Sequence, residues 1–377
     1  MGEQLSLLTD APIAESQDYL QNQLITYIGN KRSLLPFIGK GVGRVKKRLG
    51  KERLKCLDLF SGTGVVARYL KQHSSVLIAN DLELYSYITN KCYLSNASEV
   101  NQKELSDTLK ALRNSIAKNW TSGFISELYA PRSDEDIRPG ERAFYTKRNA
   151  EYLDTARQQL THLPNDLQLY FLAPLIAKAS VHANTSGVFK GFYKSKEGVG
   201  QFGGHGKDAL SRITKNIEID HPVFSHFSCE YSVQRHDAND FFTQVDCEGL
   251  DLAYLDPPYN QHPYGSNYFM LNLIATYERP SRVSDVSGIP VDWNRSRYNQ
   301  RKEAEKALFD VVEKCPAKFV MVSYNSEGFV SHEKFIETMS NHGKLSVLET
   351  PYNTFRGSRN LSGRAIHVTE FLYLLEK

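Results

Sequence analysis

Residues 250–260, LDLAYLDPPYN, place Asp256-Pro257-Pro258-Tyr259 directly after a near-continuous apolar run. Such a run is typical of a strand in a parallel sheet that helices cover on both faces. Six further segments have the apolar, β-branched or aromatic character of strands: 54–59, 76–80, 229–236, 318–324, 344–350 and 367–374. Helical segments at 62–72, 300–314 and 331–341 alternate with them. The pattern predicts an α/β fold with a seven-stranded, mostly parallel sheet.

The interval 100–228 interrupts this alternation and is longer than any ordinary connection between two strands. It contains helical segments at 103–119, 149–162 and 166–182, followed by an irregular stretch at 185–207, TSGVFKGFYKSKEGVGQFGGHGK. We therefore expect a mainly helical inserted domain at 100–228, between two parts of one catalytic domain at 1–99 and 229–377.

Composition excludes several classes of protein. The chain has 377 residues, and 46 Lys+Arg against 43 Asp+Glu give a formal charge of +3, which excludes a histone-like basic protein. No apolar stretch approaches the roughly 18 residues of a membrane span, and the N-terminus lacks the features of a signal peptide. The five cysteines are scattered and include no C-x-x-C pair, which favours reduced thiols over a zinc site. We expect a soluble cytoplasmic protein with no membrane partner and no metal.

The string after the strand at 250–255 predicts a site that binds an amino group. Side chains at the carboxyl end of a parallel strand project into the crevice where such sheets bind ligands. Two prolines stiffen the backbone, so the Pro257 carbonyl can point outward without a partner. The Asp256 carboxylate and that carbonyl then offer two acceptors for a planar –NH₂ group, with the Tyr259 ring beside them. The alternative is a simple turn in which Asp256 is a cap.

A glycine turn follows the strand at 54–59 in LKCLDLFSGTGVVARYL, residues 54–70. Gly62 and Gly64 allow the backbone to approach a ligand closely, but the full G-x-G-x-x-G pattern and a phosphate-binding loop are both missing. A cofactor without phosphates is therefore favoured. The next strand ends at Asp81, where a carboxylate binds ribose hydroxyls in nucleotide-binding folds. Glu83 is the second choice, and a helix cap is the alternative for Asp81.

Five motifs in this order resemble those of the Dam-type DNA adenine methyltransferases. They are TYIGNKRSLLPFI (26–38), DLFSGTGVV (58–66), NDLELYS (80–86), RHDANDFF (235–242) and DPPY (256–259). The resemblance covers residues 24–375 and implies the class I methyltransferase fold, which uses S-adenosylmethionine, with a target-recognition domain in the insertion. One departure is Tyr27, where these enzymes often have Trp.

The resemblance also implies roles for individual residues. Asp256 and Pro257, with Pro258 and Tyr259, would hold the amine of an adenine flipped out of the duplex. The expected cofactor contacts are Tyr27 and Lys31 to the methionine end, Asp58 to its amino group, Phe60 and Gly62 in the loop, Asp81 to the ribose, and Asp237, with Asp240 as second choice, to the adenine ring.

Contacts with DNA are predicted from two basic segments. Lys190, Lys194 and Lys196 lie among aromatic residues and glycines in the insertion, and Arg356 and Arg359 lie in 352–364, which has no acidic residue. Such side chains can contact phosphates, and an ordinary solvated loop is the alternative for each. Residues 262–269, HPYGSNYF, are expected to close over the target base, and the basic run at 40–55 is expected to be one face of a surface helix.

Three other functions remain open at this point: methylation of cytosine N4, methylation of RNA, and DNA binding without catalysis. The leading hypothesis is N6-adenine methylation of double-stranded DNA by a monomer. The enzyme would act either in a restriction-modification system with a separate cognate endonuclease or as an orphan methylase.

Overall fold

The computed structural model describes residues 14–204, 206–353 and 367–377. Seven strands are found there: β1 (Leu54–Asp58), β2 (Ser74–Asn80), β3 (Glu230–Gln234), β4 (Leu252–Leu255), β5 (Phe319–Asn325), β6 (Lys344–Asn353) and β7 (His367–Glu376). They form one sheet in the order β3-β2-β1-β4-β5-β7-β6. The first five are parallel, and β7 is inserted antiparallel between β5 and β6. This arrangement confirms the predicted α/β fold of the class I methyltransferase type.

The helices of the described residues mostly lie between the strands. They are α1 (Gln17–Gln21), α2 (Leu35–Leu49), α3 (Val65–Lys71), α4 (Leu84–Leu94), α5 (Gln102–Lys118), α6 (Phe124–Tyr129), α7 (Lys147–Leu160), α8 (Asn165–Val181), α9 (Leu210–Thr214), α10 (Phe241–Gln244), α11 (Tyr264–Asn267), α12 (Phe269–Thr276), α13 (Arg301–Lys314) and α14 (His332–Met339). None of them is long and apolar enough to cross a bilayer.

Both faces of the sheet are covered. Along β4, Leu252 and Tyr254 belong to the apolar cluster that contains α2 and α3, whereas Ala253 and Leu255 belong to the cluster that contains α13 and α14. This assignment follows from the alternation of side chains along a strand. The near-continuous apolar run in the sequence therefore reflects burial on both sides.

The insertion shares its core with the helices beside the sheet. Its predicted long helices correspond to α5, α7 and α8, and their apolar side chains, such as Leu153 and Ile176, form one cluster with Tyr85 of α4 and Met270 of α12. The insertion is therefore packed directly against the elements that follow β2 and β4.

The predicted surface helix face at 40–55 is confirmed only as far as residue 49: Lys40, Arg44, Lys47 and Arg48 are exposed on α2, but the rest of the run lies beyond the helix. Helix α2 ends at Leu49 because Gly50 adopts the left-handed conformation, with φ of +63°. Beyond it, Lys51 pairs with Asp251 at 2.8 Å and Lys55 already belongs to β1. The run thus covers a helix end, a turn and a strand.

Candidate active site

The carboxyl ends of β1, β2 and β4 meet at one edge of the sheet, where the chain forms an open cleft. The cleft measures about 890 Å³, counting space continuous with solvent. Most of the residues predicted for the site line it, namely Tyr27, Lys31, Phe60, Gly62, Asp81, Asp237, Asp256 and Pro258. One cavity therefore joins the glycine turn after β1 to the acidic residue after β4.

The other predicted residues lie around the cleft rather than in its lining. Asp58 is only 1% exposed and lies beneath the glycine turn. Pro257 is buried, and its carbonyl oxygen accepts no hydrogen bond from the described residues. The half-buried Tyr259 has its ring edge-on to Tyr324, with centroids 6.0 Å apart. Asp240 is exposed and lies 3.9 Å from Arg297.

The glycine turn is bound directly to Asp81. The backbone N–H of Gly62 donates to Oδ2 of Asp81 at 2.8 Å, and the N–H of Glu83 donates to Oδ1 at 2.9 Å. Gly62 has a φ of +49°, and a Cβ there would lie 3.4 Å from the Tyr27 ring. Each Asp81 oxygen keeps acceptor capacity for a further donor, so this carboxylate can bind a hydroxyl in the cleft.

Asp58 is a buried carboxylate near two backbone N–H groups, those of Ala67 and Phe60, which lower its pKa only in part. Neither of its oxygens has a hydrogen-bond partner of normal geometry among the described residues. Burial, reinforced by the negative charges of Asp256 and Asp81, raises its pKa well above the usual range. An unpaired buried carboxylate is costly, so this position suits a ligand that brings a positive charge.

Lys31 connects the catalytic candidate to a residue that sequence reasoning missed. Its Nζ lies 3.0 Å from Oδ1 of Asp256 and 3.1 Å from Oε1 of Glu370, and the Lys31 and Glu370 side chains are only 5% and 2% exposed. The hydroxyl of Ser323 donates to the same Glu370 oxygen at 2.7 Å. Glu370 reaches the site because β7 lies next to β5, and no local motif marks it.

Burial and the neighbouring charges shift the pKa values of Asp256 and Lys31. Burial raises the pKa of Asp256 to about 6; Lys31 opposes this shift and Glu370 adds to it. Burial alone would lower the pKa of Lys31, but the two carboxylates outweigh it and hold that pKa well above its usual range. The lysine therefore stays charged and fixes the Asp256 carboxylate at the base of the cleft.

The segment that carries Tyr27 and Lys31 is anchored by a buried arginine. Arg68 of α3 donates from Nη1 to the carbonyls of Tyr19 and Asn22 at 2.9 Å each, and its guanidinium lies 3.6 Å from the Tyr93 ring centroid. Since α3 follows the glycine turn, this contact links the turn to the opening segment.

Tyr27 lies in a group of three nearly parallel tyrosine rings. Its centroid is 4.8 Å from that of Tyr264 and 4.4 Å from that of Tyr268. Tyr264 and Gly265 of the segment 262–269 also line the cleft. The residues that follow the Asp-Pro-Pro-Tyr string thus form an aromatic wall beside the glycine turn.

Residues 27–287 match the sequence model of a protein family, the D12 class of N6 adenine-specific DNA methyltransferases. The match includes the motifs that form this cleft. The chain belongs to this family. It is therefore an adenine-specific DNA methyltransferase, and the three other functions that the motifs alone left open give way to this one.

Relatives of the methyltransferase include proteins named type II methyltransferase. It is 28% identical to the type II methyltransferase M.NlaIII of Neisseria lactamica, over 94% of this chain and 99% of that one. It is 26% identical to M.CviAII of Paramecium bursaria Chlorella virus 1, with the same coverage. Against M.FokI of Planomicrobium okeanokoites, at 28% identity, it spans about half of the longer protein, 52%.

A second carboxylate in the methyltransferase cleft is bound by two amides. Oε2 of Glu83 accepts hydrogen bonds from Nδ2 of Asn272, on α12, and from Nδ2 of Asn294 at 3.0 Å. Glu83 is 4% exposed, and burial raises its pKa to about 7. The sequence offered Glu83 only as a substitute for Asp81; in the structure it instead joins α4 to the segments that follow β4.

The predicted DNA-contacting lysines of the methyltransferase lie on an exposed loop of the insertion. Lys194 pairs with Gly200 across a short antiparallel hairpin, and its Nζ lies 5.0 Å from the Phe192 ring centroid. Lys196 is at the hairpin tip. Burial lowers the pKa of the His262 imidazole, and the nearby charge of Lys190 lowers it further. The predicted contacts Arg356 and Arg359 lie outside the described residues.

Proposed function

We propose that the methyltransferase flips an adenine out of duplex DNA and methylates its N6 between Asp256 and the glycine turn, as Dam-type enzymes do. The observation that carries this proposal is the single cleft that connects Gly62 with Asp256. Asp256 lies at the carboxyl end of β4, where α/β sheets bind their ligands.

The residues around the glycine turn fit S-adenosylmethionine. Its cationic ammonium suits the unpaired Asp58 carboxylate, and Gly62 leaves room where a Cβ would approach Tyr27. Asp81 would hold the ribose hydroxyls, Asp237 the adenine ring, and Phe60, Tyr27 and Lys31 the remaining wall. When bound, this cofactor supplies a methyl group that its sulfonium charge already activates.

Asp256 and Pro257 act on the nucleophile. The exocyclic amine of adenine is a poor nucleophile because its lone pair is delocalised into the ring. Hydrogen bonds from the two N–H groups to the Asp256 carboxylate and the Pro257 carbonyl would favour a tetrahedral nitrogen and free that lone pair. The ammonium of Lys31 holds the carboxylate in place at 3.0 Å, so the main contribution is orientation.

The flipped base needs an aromatic ring on which to stack, and the duplex needs basic side chains that contact its phosphates. Flipping costs a few kcal/mol, and stacking on Tyr259 would return on the order of 1–3 kcal/mol. Lys190, Lys194 and Lys196 would contact phosphates beside the cleft. Relatives named type II methyltransferase and modification methylase favour a restriction-modification system; a separate cognate endonuclease is part of the proposal. The five cysteines, all free and buried, are compatible with a monomer in the cytoplasm.

The direct test offers methyl-labelled S-adenosylmethionine to a randomised duplex DNA pool and, separately, to RNA, and identifies the labelled nucleoside. We expect N6-methyladenine from the duplex alone. Label in N4-methylcytosine or in RNA would overturn the proposal.

Two neighbouring carboxylates provide a matched test of cofactor binding. Asp237 lines the cleft, whereas Asp240 does not. Calorimetry should find that Asp237→Ala weakens binding of S-adenosylmethionine, while Asp240→Ala leaves it within about twofold, well below the tenfold step of 1.4 kcal/mol. Equal losses would remove Asp237 from the cofactor site.

A further inference from the structure

A second hairpin follows the catalytic motif and was not singled out in the sequence. Residues 282–291 pair in antiparallel fashion, with Val283 opposite Pro290. The N–H of Ser284 donates to the Ile289 carbonyl at 2.9 Å, and the N–H of Val291 donates to the Arg282 carbonyl at 3.3 Å. We call residues 282–301, the hairpin and its continuation to the start of α13, the post-catalytic segment.

The hairpin is fixed to the insertion. The Arg142 guanidinium donates to the carbonyls of Ser284 at 3.1 Å and Asp285 at 3.0 Å, and the Tyr129 hydroxyl donates to the Gly288 carbonyl at 2.8 Å. Gly288 has a φ of +70°, and a Cβ there would lie 2.7 Å from the Tyr129 ring. These contacts attach the hairpin directly to the insertion.

The hairpin that carries the predicted DNA-binding lysines packs against the same segment of the insertion, next to Arg142. A Cβ at Gly200 would lie 2.9 Å from Cβ of Ala143, the residue after Arg142. The side chain of Asn184 also binds the Ala143 carbonyl at 2.8 Å. The two exposed hairpins thus contact consecutive residues of the insertion, Arg142 and Ala143.

The continuation of the hairpin forms a wall of the active-site cleft. Asn294, Ser296 and Tyr298 line that cleft. The backbone of Asn294 packs closely on Gly265, because a Cβ added at Gly265 would clash with the Asn294 carbonyl oxygen. A partner that contacts the exposed side chains of this segment therefore lies beside the catalytic residues.

Those exposed side chains include arginines whose charge is not neutralised. Arg282, Arg295 and Arg301 are exposed and have no carboxylate partner within the described part of the chain. The Arg295 guanidinium rests on the Trp293 ring, 4.4 Å from its centroid. Asp285 and Asp292 are the acidic residues of the segment, and neither forms an ion pair among the described residues.

We propose that the post-catalytic segment is a second DNA-contacting surface, on which Arg295, held by Trp293, with Arg282 and Arg301, binds phosphates of the duplex beside the flipped base. The proposal rests on the proposed function, because it takes duplex DNA as the partner of this cleft. Guanidinium groups bind phosphate oxygens through two parallel hydrogen bonds, and stacking on Trp293 reduces the freedom that Arg295 loses on binding.

The test compares Arg295→Gln with Arg44→Gln. Arg44 is also exposed and has no ion-pair partner in the described chain. It lies in the second half of α2, and Lys51 just beyond this helix pairs with Asp251 at the opposite edge of the sheet. Fluorescence titration of a labelled random duplex pool measures DNA affinity over a range of salt concentrations. Calorimetry with S-adenosylmethionine checks that the cofactor site is intact.

Loss of one phosphate contact lowers the slope of log K against log salt by about 0.9, which corresponds to roughly eightfold weaker binding at about 0.1 M salt. We expect this change for Arg295→Gln, a smaller one for Trp293→Leu, and none for Arg44→Gln. Cofactor affinity should stay unchanged in all three. An unchanged slope for Arg295→Gln, or an equal fall for Arg44→Gln, would overturn the proposal.

The two proposals fail in different ways. If the wild-type protein binds DNA but the labelled nucleoside is not N6-methyladenine, the proposed function fails, and the binding comparison still tests the segment. If N6-methyladenine forms and the Arg295→Gln slope equals that of the wild type, only the second surface is refuted.

Discussion

Replacing Glu370 by glutamine should make the enzyme active at lower pH. Oxygens of Glu370 and Asp256 contact the same Lys31 Nζ at 3.1 and 3.0 Å. Two unit charges no more than about 6 Å apart repel by roughly 2–3 kcal/mol at an effective dielectric of about 20, or on the order of two pKa units. Glu370→Gln removes this repulsion, so Lys31 then forms an ion pair with Asp256 only.

The sign follows from the direction of the Asp256 shift. Its pKa is raised to about 6, with burial as the main cause and Glu370 as a contributor. The carboxylate must be ionised to accept the adenine amine, so activity falls as pH drops through that value. Without Glu370 the pKa of Asp256 falls. The acid limb of the pH profile of kcat/KM should therefore move down by about one to two pH units, up to the full repulsion between the two carboxylates.

The assay is methyl incorporation into the random duplex pool as a function of pH. Glu376→Gln is the matched control, because Glu376 is on the same strand but pairs with Arg48 near the surface at 2.8 Å, and its acid limb should stay in place. Glutamine can still accept the Ser323 hydrogen bond, and Lys31 keeps Asp256. The loss of stability should therefore be below the roughly 3–5 kcal/mol of an orphaned buried charge. An acid limb that stays in place or moves upward in Glu370→Gln would refute the reasoning.

Two further predictions concern the cleft wall. Gly62→Ala puts a side chain at a φ of +49° and 3.4 Å from the Tyr27 ring, so the folded state should lose roughly 1–2 kcal/mol of stability. Because the turn must shift, cofactor binding measured by calorimetry should also weaken, while Gly43→Ala, a Cβ in open space, should leave cofactor binding unchanged. The pKa of Glu83 is raised to about 7 by burial, so this group stabilises the fold below its unfolded pKa of about 4.3, and that contribution, about 4 kcal/mol, is lost as pH rises to about 7. Thermal unfolding of Glu83→Gln should not show this loss of stability between about pH 4 and 7. If the variant and the wild type lose stability equally over that range, the raised pKa of Glu83 is contradicted.

The parts of the fold that were predictable are those with strong local signals. The strand at 252–255 is buried on both faces, so its apolar run is unambiguous, and the glycine turn, Asp81 and the Asp-Pro-Pro-Tyr string each follow a strand directly. Because parallel strands end at the same edge, the sequence could also predict that these residues meet.

The missed parts depend on contacts between distant segments. Glu370 joins Lys31 only because β7 is inserted antiparallel beside β5, and nothing in HVTEFLYL separates this glutamate from a solvent-facing strand residue. Glu83 gains its amide partners from α12 and the post-catalytic segment. That segment has no dense basic run; its arginines become significant only once Arg142 and Tyr129 fix the hairpin next to the cleft.

The most direct test of the account is the single-turnover rate of Asp256→Asn, measured beside its affinity for S-adenosylmethionine. Asparagine keeps the size of the side chain but loses its charge. Its one acceptor oxygen faces the Lys31 ammonium, which lies 3.0 Å from Oδ1 of Asp256, so its NH₂ group, a donor, meets the adenine amine. The account predicts that cofactor affinity changes less than about tenfold, or 1.4 kcal/mol, while methyl transfer falls by on the order of a thousandfold, or about 4 kcal/mol. Near-wild-type transfer by this variant would contradict it.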